Sequence, residues 1–212
     1  MLLLRFQLCH RSFIFRVLLD NSRAWLNSRR KGDFVLPREL IESQHIFKGA
    51  IFTVERDRIR EENGFEIVRE IVRHPGGAGC LPLLPDGRVV LVKQYRHPAR
   101  RELLEIPAGK IEAGESPIEC ATREVEQETG FRAGKVELLA DFFSTPGFCE
   151  ERLYVYLATE LTLAEQNPDH DEFVEVVCLP LTEAVAMAER NEIEDSKTII
   201  ALLLAQRRIC RT

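Results

Sequence analysis

The chain has 212 residues, of which 45% are hydrophobic and 30% charged, with a formal net charge of −5. That length suits one sizeable domain with room for a smaller appended sheet, and the apolar content is enough to fill a core. The acidic balance argues against a broad nucleic-acid footprint and against general attraction to anionic membranes. No apolar run approaches the ~18 residues that a membrane-spanning helix needs.

Residues 1–35 differ from the rest. They carry Arg5, Arg11, Arg16, Arg23, Arg29, Arg30 and Lys31 against only Asp20 and Asp33, with apolar clusters at 2–4, 13–15 and 17–19. An arginine-rich, acid-poor, amphipathic start is the composition of an organelle transit peptide. A secretory signal fits poorly, because arginines interrupt every apolar core. The expectation here is a non-native or disordered extension, an overextended reading frame whose true start lies near Val35 or Leu36. From Pro37 onward the chain reads as an ordinary enzyme start.

Residues 36–75 are predicted to form a small antiparallel sheet. Val54 to Arg60 alternates, Glu62-Asn63-Gly64 reads as a hairpin turn, and Phe65 to Val72 returns as the partner strand. Such a sheet leaves an apolar face and edges to cover. It should pack on the main domain, on a second copy, or on both. Gly76-Gly77-Ala78-Gly79 then reads as a flexible linker or a strand entry.

The remainder, 76–212, alternates elements. Strands are expected at Cys80–Leu84, Arg88–Tyr95 and Leu103–Ile106, and a helix at about 117–129. Further strands follow at Lys135–Phe143, Arg152–Thr159 and Phe173–Leu179, then helices over Thr182–Arg190 and about Ser196–Arg208. This order predicts an α/β sandwich with mixed strand directions. The cysteines (Cys9, Cys80, Cys120, Cys149, Cys178 and Cys210) are scattered with no C-x-x-C pair, so neither a zinc site nor a disulfide framework is indicated. Thiols of this kind belong in a reducing cytoplasm.

The stretch 108–131 carries the chemistry. Gly109 and Gly114 bracket a loop, Ser116 can cap a helix, Pro117 suits its first position, and Gly130 ends it ahead of Phe131. At 100° per residue, Ile118, Ala121, Thr122 and Val125 make the expected buried stripe. Glu124 and Glu128 lie one turn apart and point the same way. Like charges at that spacing repel unless a cation lies between them, and carboxylates with loop carbonyls are hard ligands suited to Mg²⁺ or Mn²⁺. A bare E-x-x-x-E is usually a solvated helix face. The surrounding loop makes the difference.

That loop and helix resemble the Nudix box, G-x5-E-x7-R-E-U-x-E-E-x-G-U, with U a bulky apolar residue. The matching positions are Gly109, Glu115, Arg123, Glu124, Val125, Glu128, Gly130 and Phe131. Gln127 departs, standing where the family has the first glutamate of its Glu-Glu pair; its neutral amide would hold a metal less tightly. The helical wheel sets it beyond Glu124 and away from Glu128, as a weak ligand or a residue beside the site rather than the central ligand. The resemblance implies an α/β/α sandwich around a mixed sheet and hydrolysis of a nucleoside diphosphate linked to another group. It also implies a divalent metal on Glu124, Glu128 and the Ala108 carbonyl, with Glu115 and Arg123 bracing loop against helix and Gly109 and Gly130 structural.

Features outside the box resemble the ADP-ribose pyrophosphatase group. Gln94-Tyr95-Arg96 followed by Glu102 to Gly109 resembles the approach to its site, placing Arg96 on a phosphate or terminal ribose, with Glu105 binding substrate or forming a strand-end ion pair. Pro146 stands 16 residues after Gly130, where the group carries a proline, and the resemblance places it with Arg96 and Glu105 among the substrate-binding residues. Asp171 to Val177 resembles the segment that supplies its general base, with Glu172 the best match and Asp171 and Asp169 its competitors. Phe65 is a candidate to stack on adenine or to pack in the core. The expected substrate is ADP-ribose; the alternatives are GDP-mannose or another nucleotide sugar, or a non-catalytic ligand-sensing module. A homodimer through the N-terminal sheet is implied as well.

Overall fold

The computed structural model describes residues 38–168 and 173–210. The arginine-rich extension and the candidate bases Asp169, Asp171 and Glu172 lie outside the described residues. Three strands, β1 (Glu39–Lys48), β2 (Thr53–Arg60) and β3 (Glu66–Arg73), make a small antiparallel sheet in that order.

The chain divides into two compact units. Within the described residues the first comprises 38–41 and 58–67. It contains the predicted hairpin turn. The Gly64 N–H donates to the Glu61 carbonyl at 2.9 Å, and Gly64 takes φ +83, a conformation that needs glycine. The Asn63 side chain accepts from the Phe65 N–H at 3.1 Å, a local bond that favours turns over ladders. Arg60 reaches Glu39 and Glu66, and Arg38 reaches Glu61. These pairs are exposed and screened by solvent, so each contributes little to stability.

The second unit, 42–57 with 68–168 and 173–210, holds the main sheet. Strand β4 (Gly77–Pro82) is buried along its whole length, so the glycine run is a core strand and not a linker. Small residues there let neighbouring backbone approach closely. Strand β4 lies between β7 (Ala108–Lys110) and β10 (Arg152–Thr159), and β10 pairs next with β9 (Lys135–Phe143). The β4–β10 pair is parallel and the other two are antiparallel, which makes the sheet mixed. A second, antiparallel sheet sets β5 (Arg88–Arg96) between β6 (Arg101–Glu105) and β12 (Val174–Pro180). The short strands β8 (Phe131–Arg132) and β11 (Thr162–Leu163) pair separately.

Period-two alternation sorts the core into two layers. Val155 and Leu157 face Leu181, Val185, Ile193 and Leu202, carried by or adjoining the helices α2 (Leu181–Glu189) and α3 (Ser196–Ile209). Tyr156 and Ala158, with Ala78 and Cys80, face Cys120, Ala121 and Val125 of α1 (Pro117–Thr129). Helices therefore cover both faces of a mixed sheet, the α/β/α sandwich expected. Full burial of each large aliphatic side chain stabilises by about 1.5–3 kcal/mol. No helix among the described residues is long and apolar enough to cross a membrane.

Helix α1 departs from the predicted stripe. Its buried residues are Cys120, Ala121, Glu124, Val125, Glu128 and Thr129, whereas Ile118 is 43% exposed and Thr122 only half-buried. The apolar periodicity misplaced the buried face because two of the inward positions are acidic. Glutamates count as solvent-facing in any hydrophobicity pattern, and here the polar environment of the loop draws them inward.

Candidate functional site

The ends of α1 are set by local chemistry. The Ser116 hydroxyl accepts from the Glu119 N–H at 3.4 Å while Glu119 accepts from the Ser116 N–H at 2.8 Å, a reciprocal cap. Gly130 closes the helix at φ +69, its N–H donating to the Glu126 carbonyl. With both ends fixed, the phase of the helix is fixed, and Glu124 and Glu128 face β7. Register in the sheet sets β7 in turn, with Gly109 opposite Ala78 and Ala108 opposite Gly79.

The two glutamates are 6% and 1% exposed. The Ala108 N–H donates to Glu128 Oε2 at 3.3 Å. A Cβ on Gly109 would stand 1.7 Å from Glu124 Oε1, so the carboxylate occupies space that only glycine leaves open. Gly109→Ala is therefore expected to push Glu124 out of place and to weaken divalent-cation binding by about tenfold or more, a loss of at least ~1.4 kcal/mol. Isothermal titration of the folded variant with Mg²⁺ checks this, and wild-type affinity would overturn it.

Arg123 ties the helix to its loop. Its Nε and Nη2 donate to the two oxygens of Glu115 at 2.9 and 3.2 Å. Its Nη1 donates to Glu124 Oε1 at 2.7 Å and to Gln127 Oε1 at 2.9 Å. Hydrogen bonding to Arg123 holds the Glu115 carboxyl below its usual range, and the same bonds raise the Arg123 pKa. The departing box residue, Gln127, is thus on the arginine, on the outer side of the helix. Cys120 lies beneath, its thiol directed at the Gly109 and Lys110 carbonyls; burial first, then the charges of Glu115 and Glu124, push it up to about 12. It is a packing group and not a nucleophile.

A chamber of about 330 Å³ opens beside β7. Arg96, Ala108, Gly109, Lys110, Ser144 and Lys197 are among its lining residues. Arg96 sends Nε and Nη2 to the two oxygens of Glu105 at 2.7 and 2.8 Å, and this bidentate bond raises its pKa. Glu105 is 2% exposed and stands behind Arg96, outside the chamber wall. Lys197 donates to Glu105 Oε2 and, at 2.9 Å, to Asp195 Oδ1. Burial alone would raise the Glu105 pKa, but the bonds from Arg96 and Lys197 win and hold it down at about 2.

Arg96, Ala108 and Gly109 are brought to the chamber together, with Glu124 and Glu128 against β7. Pro146 sits exposed in the turn after β9 and does not line the chamber, whereas Ser144 does. Phe65 belongs to the first unit and is exposed. His74 also lines the chamber; its Nδ1 accepts from the Gly76 N–H at 3.1 Å and lies 3.5 Å from Glu151. His97 remains in a turn beside Tyr95. Sequence reasoning missed Lys197 and Asp195. Asp195 is the N-cap of α3, with Thr198 N–H donating to it at 2.9 Å, and the D-S-K-T order was a legible cap signal.

Segment 164–167, which leads to the candidate bases, is pinned along the end of α1. Ala164 N–H donates to the Gly130 carbonyl, Gln166 Nε2 to that of Glu128 at 2.7 Å, and Asn167 N–H to that of Gln127. A larger cavity of about 560 Å³ lies on the outer face of α1, lined by Ile118, Thr122, Glu126 and Gln127 among others. It holds neither Arg96 nor the β7 backbone, so the smaller chamber is the better candidate for substrate.

Among the described residues, no three or more His, Cys, Asp or Glu side chains gather as a metal cluster. The donor set at β7 is instead two buried carboxylates beside a strand of backbone, all hard oxygens. It fits a small divalent cation, and the glycine that makes room for Glu124 is part of that fit.

The NUDIX domain family model matches residues 73–203. An ADP-ribose pyrophosphatase of Bacillus subtilis (strain 168) is 39% identical over 173 residues, covering 81% of this chain and 94% of the relative. A GDP-mannose pyrophosphatase of Yersinia enterocolitica is 34% identical over 158 residues, 69% of this chain and 82% of that protein. The crystal structure of an ADP compounds hydrolase superposes with a TM-score of 0.74 at 22% identity, covering 85% of this chain and 98% of the other. That last likeness is one of fold.

Proposed function

The chain belongs to the Nudix hydrolase family, and from that premise we propose that it hydrolyses the pyrophosphate bond of a nucleoside diphosphate sugar, with ADP-ribose the first candidate. Water adds to phosphorus, the bridging P–O bond breaks with its electron pair leaving on the departing phosphate, and AMP and ribose 5-phosphate result. The observation that carries this reading is the pair Glu124 and Glu128, buried against Gly109 beside a chamber that contains Arg96. Likeness to the Bacillus enzyme over nearly its whole length supports ADP-ribose.

In this reading Glu124, Glu128 and the Ala108 carbonyl hold Mg²⁺, with Mn²⁺ as an alternative. When bound, such a cation supplies Lewis acidity to the phosphate oxygens and to the attacking water. Arg96 grips phosphate or ribose oxygens through its planar guanidinium, and Glu105 fixes its orientation from behind. Arg123 and Glu115 brace the box loop on the helix, Gly130 ends that helix, and Pro146 shapes the turn next to Ser144. Glu172 takes the proton from water, with Asp171 and Asp169 as alternatives. Glu172→Gln is expected to cut turnover by about 10²–10⁴-fold with folding and Mg²⁺ binding intact; full activity would move the role to Asp171 or Asp169.

We also propose a homodimer through the N-terminal sheet, where Ile46, Phe47, Ile51, Phe52 and Val68 of the second unit are exposed. A monomeric mass in solution would remove that element. The free thiols of Cys80, Cys120, Cys149, Cys178 and Cys210 support a reducing, cytoplasmic compartment. GDP-mannose is the second substrate reading, favoured by likeness to the Yersinia enzyme. Phosphate release from a panel of nucleotide sugars, coupled to phosphatase with and without Mg²⁺, separates the readings. Release from ADP-ribose supports the first, preferential release from GDP-mannose the second, and none from any sugar would identify a sensing module.

A further inference from the structure

The geometry points to Lys197 as a positioning residue for anion capture, one that keeps Arg96 available to substrate phosphate; this rests on the nucleotide-sugar reading above. Arg96 lines the chamber together with Lys110 and Lys197, yet its Nε and Nη2 are both bonded to Glu105. A guanidinium joined to a carboxylate at 2.7 Å is a neutral pair, and a neutral pair attracts a phosphate weakly. Lys197 changes that balance. It enters from α3 and donates to Glu105 Oε2, so one buried carboxylate is shared by two cations. The trio carries a net positive charge, with Arg96 and Lys197 both at the chamber wall.

With Lys197 present the four groups sum to zero rather than to a net negative charge, because Asp195, which also lines the chamber, carries one negative charge and accepts from Lys197 at its Oδ1. Its other oxygen is occupied by the Thr198 N–H and hydroxyl, at 2.9 and 2.6 Å, where the N-terminal end of a helix favours negative charge. Thr198 Oγ1 in turn accepts from the Ile106 N–H at 2.8 Å, tying α3 to the residue after Glu105. The result is a fixed lattice of charge in which Lys197 and Asp195 push the anion affinity of Arg96 in opposite directions. A purely structural ion pair would make no such distinction.

Binding of ADP-ribose in metal-free buffer, read by calorimetry, and steady-state kinetics with Mg²⁺ test this. Lys197→Met is expected to weaken ADP-ribose binding and raise KM by about tenfold, with kcat changed by less than about twofold, because a contact made equally to substrate and transition state appears in KM. Lys197→Arg, which keeps the charge, should restore both values. Asp195→Asn retains a good N-cap side chain and should act the other way, tightening binding by about two- to threefold as an opposing charge is lost. Unchanged affinity in Lys197→Met, whatever its melting temperature, overturns the proposal, and so does a fall in kcat at constant KM. If Lys197→Met does not fold, Asp195→Asn decides: unchanged or weaker binding overturns it. A wild type that binds ADP-ribose without hydrolysing it sinks the proposed reaction and leaves Lys197 to be judged on the affinities; a wild type that does not bind it sinks both.

Discussion

Replacing Glu124 or Glu128 singly by glutamine is expected to lower turnover of the best nucleotide-sugar substrate by about 10³-fold, since the lost Lewis acidity is worth several kcal/mol. Both changes are isosteric, and both leave an oxygen where the fold needs one. In Glu124→Gln the new amide oxygen can still accept from Arg123 Nη1, and in Glu128→Gln it can still accept from the Ala108 N–H. Melting temperatures should therefore hold while Mg²⁺ affinity, measured by calorimetry, collapses. Wild-type turnover in either variant would place the metal elsewhere. A drop in turnover with undiminished Mg²⁺ affinity would do the same for the role assigned here.

Glu105→Gln has its largest effect on stability and on the acid limb of the stability curve. The Glu105 carboxyl sits at about 2 in the folded protein against an ordinary 4.5. A depressed folded pKa means stabilisation that is fully present above the unfolded value. It is lost as pH falls from about 4.5 to about 2. The difference amounts to about 3 kcal/mol, in the range typical of breaking a buried ion pair. At neutral pH the variant leaves Arg96 and Lys197 facing each other without the anion between them. Urea melts should accordingly show Glu105→Gln less stable than wild type by about 3 kcal/mol at pH 7 and nearly equal to it below pH 2. Parallel stability curves across that range would show that Glu105 carries no such coupling.

Much of this was readable in the chain because short-range rules govern it. The ends of the box helix follow from Ser116, Pro117 and Gly130, and the observed helix spans Pro117–Thr129 as anticipated. Alternation in the strands, and the turn at Asn63-Gly64, are likewise local. The inward rotation of that helix was not readable. Periodicity ranks Ile118 above Glu124 as a buried residue, yet the chain buries Glu124 because Arg123 and the gap at Gly109 receive its carboxylate. Gln127 was readable by contrast: the helical wheel sets it beyond Glu124 and away from Glu128, and in the fold it shares Arg123 with Glu124.

Residue spacing singled out the carboxylate pair, the glycine beside it and Arg96 as candidates, since the resemblance at 108–131 and 94–109 depends on fixed intervals along one segment. Long-range packing decided the rest. Lys197 lies 92 residues from Glu105, and no periodicity connects them. They meet because α3 packs on one face of the sheet and β6 delivers Glu105 beneath its first turn. Which charges stand behind Arg96 is a matter of three-dimensional neutralisation in a buried place, and the chain order carries no record of it.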